Sequence, residues 1–199
     1  AGIASGHSPP PLTRGSRSGG LSAWAASRLW LMSRTLYLVL SGAPAPEGVV
    51  ELVQALHSHG WHVTVLSTPT GTDFHDQDQL ADLTGEPVRV AFRMPGQGKP
   101  LPPADAVLAC PLTFNSTNKF AQGLADNFAI ALLCEMVGYG VPTVVVPHCK
   151  PQLATHPAFT HSLETLRAMK PVTVLHDPDA PYENRLPSWQ QVIDTVNRL

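Results

Sequence analysis

From Thr35 onward the chain alternates five short apolar runs, TLYLVL, WHVTVLS, DAVLAC, PTVVVP and VTVL, with longer segments of helical period. The runs are β-branched and apolar without polar alternation, which is the pattern of strands buried on both faces rather than of strands with one wet side. Strands of that kind joined by helical crossovers form a parallel sheet, because a parallel connection needs a dozen or more residues to return. The expected fold is therefore α/β: one doubly wound parallel sheet of about five or six strands, Rossmann-like and of flavodoxin type, with helices on both faces. In the first crossover, APEGVVELVQALHSHG sets Val49, Val50, Val53 and Leu56 on one face, with Pro46 near its start and Gly60 at its stop. Between the third and fourth runs, Phe120, Leu124 and Phe128 at four-residue spacing, extended by Ile130, Leu132 and Leu133, predict one long buried helix reaching Gly138 and Gly140. The late LPSWQQVIDTVNRL reads as a closing amphipathic helix.

The 199 residues, 43% of them apolar, suit one sizeable core. Thirteen basic against fifteen acidic residues, scattered along the chain, leave a net charge of −2 and no electrostatic footprint for nucleic acid or an anionic membrane. Cys110, Cys134 and Cys149 form no CxxC pair, which suits a reducing, cytoplasmic setting; Cys110 and Cys134 read as core. Residues 1–31 are rich in Gly, Ser, Pro and Arg and lack a period, so they read as a disordered or foreign leader. The folded domain is expected over residues 32–199, with Met32 opening MSRTLYLVL like an authentic start. Leu21–Leu31 is too short and too interrupted to span a membrane.

Parallel sheets of this class bind ligands beyond the carboxyl ends of their strands, so the loops after four of the runs form one candidate site: SGAPAP, STPTGT, PLTFNSTNK and PHCKPQ. The first, with Gly42 and Ala43, matches neither GxGxxG nor GxxxxGK[ST]; it reads as a phosphate-accepting turn or as an ordinary strand-to-helix turn. The second offers the hydroxyls of Ser67, Thr68, Thr70 and Thr72 where a dinucleotide site would place an acid for the ribose. Hydroxyls and backbone N–H groups can hold a phosphate monoester, which points to a mononucleotide such as FMN; a polar surface loop is the equal alternative. In the third, Asn115, Ser116 and Asn118 open the long helix, and capping accounts for one or two of them. Capping does not account for Asp126 and Asn127, which the predicted helix would bury and which would then need partners.

The segment PLTFNSTNKFAQGLADN resembles the signature of the homo-oligomeric flavin-containing cysteine decarboxylases, P-[AL]-x-A-N-T followed by K-x-A-x-G-[IL]-x-D-N. Pro111, Asn115, Lys119, Ala121, Gly123, Leu124, Asp126 and Asn127 fall in register. The resemblance extends from Thr35 to about Leu175. It implies FMN bound by Gly42, Ala43, Ser67, Thr68, Thr70, Pro111, Leu112, Thr113, Phe114, Ser116, Asp126 and His148. It also implies a homotrimer or dodecamer with the flavin across a subunit interface, Asn115 orienting a substrate carboxylate, and no metal.

The chain departs from that pattern at its chemistry. The general base of the family, a histidine fourteen residues ahead of the motif proline, is Gln97 here, and glutamine takes no proton at neutral pH. The substrate clamp P-x-M-N-x-x-M-W reads PHCKPQLA, so Cys149-Lys150 replaces Met-Asn, while His156-Pro157 keeps register. Lys150 reads as a carboxylate partner or as a solvated loop lysine, and Cys149 as a reactive thiol or as packing. His148 is the best replacement base, with His75 next. The late ACGD-like cysteine of the coenzyme A branch is absent. The leading expectation is an FMN-dependent oxidative decarboxylase acting on a C-terminal cysteine of a peptide or on a cysteine-containing small molecule. The alternatives are an FMN-binding module without that activity and, third, a flavin prenyltransferase, against which the absence of a basic cluster speaks.

Overall fold

The computed structural model describes residues 34–45, 47–94, 96, 98–180 and 186–199. The expectations for residues 1–31, Met32, Pro46 and Gln97 fall outside them. The five apolar runs are five strands: β1 Arg34–Leu40, β2 Trp61–Ser67, β3 Ala106–Leu112, β4 Thr143–Pro147 and β5 Val172–Val174. They form one parallel sheet in the order β2-β1-β3-β4-β5, the flavodoxin-type winding expected. Register runs from Arg34↔Trp61 to Leu40↔Ser67 on one side of β1 and from Leu36↔Ala106 to Val39↔Ala109 on the other.

Alternate residues of the buried strands feed two cores, one on each face of the sheet. Leu36, Leu38 and Leu40 point with Ala106, Leu108 and Cys110 into one core, which is closed by three helices: α1 Val49–Ser58, α2 Gln77–Thr84 and α7 Trp189–Asn197. Tyr37 and Val39 point with Val107, Ala109 and Leu112 into the other, covered by α3 Phe114–Gln122, α4 Phe128–Gly138 and α6 Pro157–Ala168. A short helix, α5 Pro151–Ala154, precedes α6. Helix α1 buries Val49, Leu52, Val53 and Leu56 and leaves Val50 only partly covered. Helix α2 was not expected, although its sequence signal is present: Asp76 caps it by accepting from Gln79 N at 3.0 Å, and Gly85 ends it at φ 73°.

One expectation is corrected. The long helix through Phe120, Leu124 and Phe128 is two helices, because Gly123 adopts the left-handed conformation (φ 69°) and closes α3. Leu124 is exposed, and Asn127 starts α4 by accepting from Ile130 N at 3.2 Å. Asp126 and Asn127 thus lie at a helix boundary rather than inside a helix.

A register shift on β3 between Ala109 and Leu112 also shapes the site: Ala109 pairs with Val145 but Leu112 with Pro147, so β3 carries one extra residue. Pro111 cannot donate to a ladder, and a bulge is where a proline is tolerated in an interior strand. The bulge sends Cys110 and Leu112 into opposite cores. At the sheet margins, Arg89 bridges to Leu66 on the outer side of β2, with Ser67 N donating to Arg89 O and Arg89 N to Val65 O, each at 2.9 Å. Strand β5, at the other margin, is three residues long. No helix among the described residues is long and apolar enough to cross a membrane.

Candidate functional site

The carboxyl ends of β1 and β3 are joined by Ser41. Its hydroxyl donates to Pro111 O at 2.9 Å and accepts from Thr113 N at 2.8 Å, and its own N–H donates to Pro111 O at 3.3 Å. This is the point where the winding reverses direction, and a cavity of ≈ 680 Å³ opens beyond it. Sequence reading did not single out Ser41; its only signal is its position directly after a strand.

The loop after β2 forms the second wall. Pro69–Asp73 is a 3₁₀ turn capped by Thr68, whose hydroxyl accepts from Gly71 N at 3.1 Å. Ser67 Oγ donates to Thr68 O at 3.0 Å and Thr72 Oγ1 to Pro69 O at 2.6 Å. Three of the four hydroxyls therefore build the turn itself, while Thr70 stands exposed on the cavity wall beside Thr68. The turn packs tightly on the first loop. A Cβ on Gly71 would come within 2.5 Å of Ser67 Oγ and 3.1 Å of Leu40 O, and one on Gly42 within 2.7 Å of Thr70 Cγ2.

Helix α3 supplies the third wall with its first turn. Thr113 caps it, its Oγ1 accepting from Ser116 N at 3.2 Å and donating to Ser116 Oγ at 3.1 Å. Thr113, Phe114, Asn115 and Ser116 all line the cavity, so the positive end of the helix dipole lies at it. Phe114 is held from behind by Phe159, stacked at 5.8 Å, and by the edge of His156, also at 5.8 Å. His156 in turn caps α6, its Nδ1 accepting from Ala158 N at 3.1 Å.

The loop after β4 closes the site with His148, Cys149 and Lys150. His148 N donates to Leu112 O at 2.8 Å, which anchors it next to the β3 bulge, and its buried ring has its pKa pushed down by desolvation. It is a neutral imidazole at neutral pH, able to accept a proton. Across the mouth, Lys119 is ion-paired with Asp126, which also accepts from Asn127 Nδ2 at 3.0 Å. Lys119 first and Asn127 after it hold the exposed Asp126 carboxyl below the usual carboxylate range.

Of the residues expected at the site, Gly42, Ala43, Thr68, Thr70, Thr113, Phe114, Asn115, Ser116, Asp126, His148 and Lys150 line this one cavity. Ser67, Pro111 and Leu112 do not; they are buried beneath it and brace its walls through the contacts above. His75 is elsewhere, in a neighbouring hollow of ≈ 380 Å³, where its Nε2–H donates to Ser41 O at 3.2 Å. Sequence reading missed Phe74 and Leu153, exposed apolar side chains on the cavity wall, and it gave Lys119 no role in the site beyond its place in the motif. No cluster of metal-ligating side chains occurs among the described residues. The donor set fits FMN: hydroxyls, a capped helix start and ammonium groups suit a phosphate and ribityl chain, and Phe74, Phe114, Ala43 and Leu153 suit an aromatic ring system.

Comparison with known proteins agrees with this geometry. The profile of the family described as Flavoprotein matches residues 27–199. The coenzyme A biosynthesis bifunctional protein CoaBC of Thermococcus kodakarensis is 24% identical over 144 residues, 70% of this chain and 36% of that protein. The chain thus spans about a third of the length of that curated relative. HAL3 from Cryptococcus neoformans superposes with a TM-score of 0.65 at 19% identity over 83% of this chain and 95% of that one. The FMN-dependent cysteine decarboxylase SpaF superposes with a TM-score of 0.64 at 20% identity over 82% and 94%. With residues 27–199 matched, a flavodoxin-type sheet and a cavity at its switch point, the chain belongs to the Flavoprotein family.

Proposed function

We propose that this protein is an FMN-dependent enzyme that oxidatively decarboxylates a cysteine at the C-terminus of a peptide or in a small cysteine-containing acid, as a homotrimer or a higher assembly of trimers. The observation that supports it most is that Asn115, His148 and Lys150, from the segments that follow two different strands, line the cavity that also carries the hydroxyl loop. The FMN phosphate belongs with Thr68, Thr70 and the first loop, and the ring system with Ala43, Phe74 and Phe114. When bound, FMN supplies the two-electron oxidation of the cysteinyl thiol to a thioaldehyde, from which the carboxylate departs as CO₂. Asn115, on the exposed first turn of α3, orients the carboxylate. His148 accepts the thiol proton, in place of the base that Gln97 cannot provide. The three cysteines, with no CxxC pair among them, support a reducing, cytoplasmic setting.

A visible spectrum of the purified protein tests the cofactor: absence of flavin bands, even after FMN is added, would remove the central inference. Mass spectrometry of cysteine-ended peptides then tests the reaction, with the loss of CO₂ and two hydrogens expected. A second reading, FMN binding without decarboxylation, is favoured by Phe114, which puts a phenyl ring beside Asn115 where the family motif has a methyl group. A flavin-loaded protein that leaves every cysteine-ended peptide in a broad panel unchanged would select that reading.

A further inference from the structure

The first loop, which lines the cavity with Gly42, Ala43 and Pro44, is held by two ring N–H groups that lie outside the cavity. At its start, Ser41 O accepts from His75 Nε2–H at 3.2 Å and from Ala43 N at 2.7 Å. At its end, Gly48 O accepts from the indole N–H of the buried Trp189 at 2.8 Å, and Gly48 N donates to Ala45 O at 2.9 Å. Trp189 opens α7, so a loop of the cavity is fastened at its far end by the closing helix. Gly48 has φ 79° and gives α1 no side-chain cap; the turn into α1 is therefore fixed from α7 rather than by the loop itself. On the cavity side, Gly42 lies against the second loop, where an added Cβ would meet Thr70 Cγ2 at 2.7 Å and Phe74 Cε2 at 3.3 Å. Any shift of the first loop thus changes its spacing from Thr70.

We propose that His75 and Trp189 are positioning residues that fix the first loop in its cofactor-binding form before FMN arrives, which makes helix α7 a determinant of flavin affinity. The proposal rests on the reading of the cavity as the FMN site. A loop already held in place binds without being ordered by its ligand, whereas one released at either end must be ordered again on binding. Fixing the backbone of one residue anew is enough to weaken affinity about tenfold. The coupling is reciprocal: a bond that favours FMN binding is itself strengthened when FMN binds.

FMN titrated into the full chain, followed by quenching of its fluorescence, tests this against an internal control. Trp61, at the start of β2, donates its indole N–H to Asn197 Oδ1 at 2.9 Å and so fastens the other end of α7, away from the cavity. Trp189→Phe and His75→Phe are each expected to raise the Kd for FMN about tenfold, and Trp61→Phe to leave it within about twofold, at a temperature where melting shows all three folded. His75→Gln, whose side chain keeps an N–H donor, is expected to hold the Kd within about threefold of the unaltered value. Amide exchange in the flavin-free chain is expected to quicken at Gly48 in Trp189→Phe and at Ala43 in His75→Phe, and at neither in Trp61→Phe. In the unaltered chain, where no substitution can disturb the fold, FMN is expected to slow exchange of the Trp189 indole proton more than that of Trp61. An unchanged Kd in Trp189→Phe or in His75→Phe overturns the assignment of that residue. An equal loss of affinity in Trp61→Phe, or equal slowing of the two indole protons, overturns the part given to α7. A chain that takes up no FMN refutes the proposed function and leaves the exchange rates to decide whether the two rings hold the loop; one that takes up FMN alike in every variant refutes this proposal alone.

Discussion

Gly71 sits where no other residue fits, since its would-be methyl group meets the Leu40 carbonyl at 3.1 Å and Ser41 Cα at 3.2 Å, neither of which can turn aside. Gly71→Ala is expected to cost about 1–3 kcal/mol in a urea titration, the range of overpacking, and to weaken FMN binding by shifting Thr68 and Thr70. Burial holds the imidazoles of His57, His62, His75 and His148 below their ordinary value. The unfolded chain then takes up more protons than the folded one as pH falls below about 6.5, so the stability of the fold is full above that pH and declines as pH drops toward the lowered folded-state values. Melting temperature is expected to be flat above about pH 7 and to fall on acidification, with a shallower fall in His148→Asn. The same substitution is expected to lower kcat by about 100-fold or more with little change in KM, measured on a cysteine-ended peptide. At this scale most side chains of the cavity could be read from sequence, because loop position after a strand is a strong constraint. Ser41, Ser67 and Pro111 could not be: whether a hydroxyl or a carbonyl faces the ligand or the backbone beneath depends on a bulge and a 3₁₀ turn that no spacing announces.

Among elements, the α3–α4 boundary separates what periodicity can and cannot tell. Phe120, Leu124 and Phe128 satisfy a helical period, yet Gly123 breaks it, and the two phenylalanines belong to different helices. Apolar spacing of four residues is satisfied equally by two helices meeting at a turn, so the capping residues are the deciding signal, and here both are present as Gly123 and Asn127. Asn127→Ala is expected to cost about 1 kcal/mol through the lost cap, whereas Lys119→Met, which removes a solvent-screened pair, is expected to cost less than the loss of that cap. Chemical denaturation of the two variants distinguishes a boundary held by its cap from one held by its ion pair.

For the molecule as a whole, strand identity and class were legible because continuous apolar runs leave few alternatives, and the described boundaries differ from the runs by no more than two residues at either end. The strand order was legible only as a type. Which strand neighbours which follows from tertiary pairing, and the sequence carries it only through the loops that gather at the switch point. A cofactor that binds the folded chain alone stabilises it by mass action, so FMN at about 100 times its Kd is expected to raise stability by about 2.7 kcal/mol, seen as a concentration-dependent rise in Tm. The treatment of the two sheet margins, Arg89 laid along β2 and the brevity of β5, has a consequence for how copies of this chain can meet. An unsealed margin is a template on which a neighbour's backbone can continue the ladder whatever its sequence. With the carboxyl end of β2 engaged by Arg89 and β5 only three residues long, these two stretches offer a neighbour little ladder, and association there is left to side chains on helices and loops, where single substitutions can tune it or abolish it.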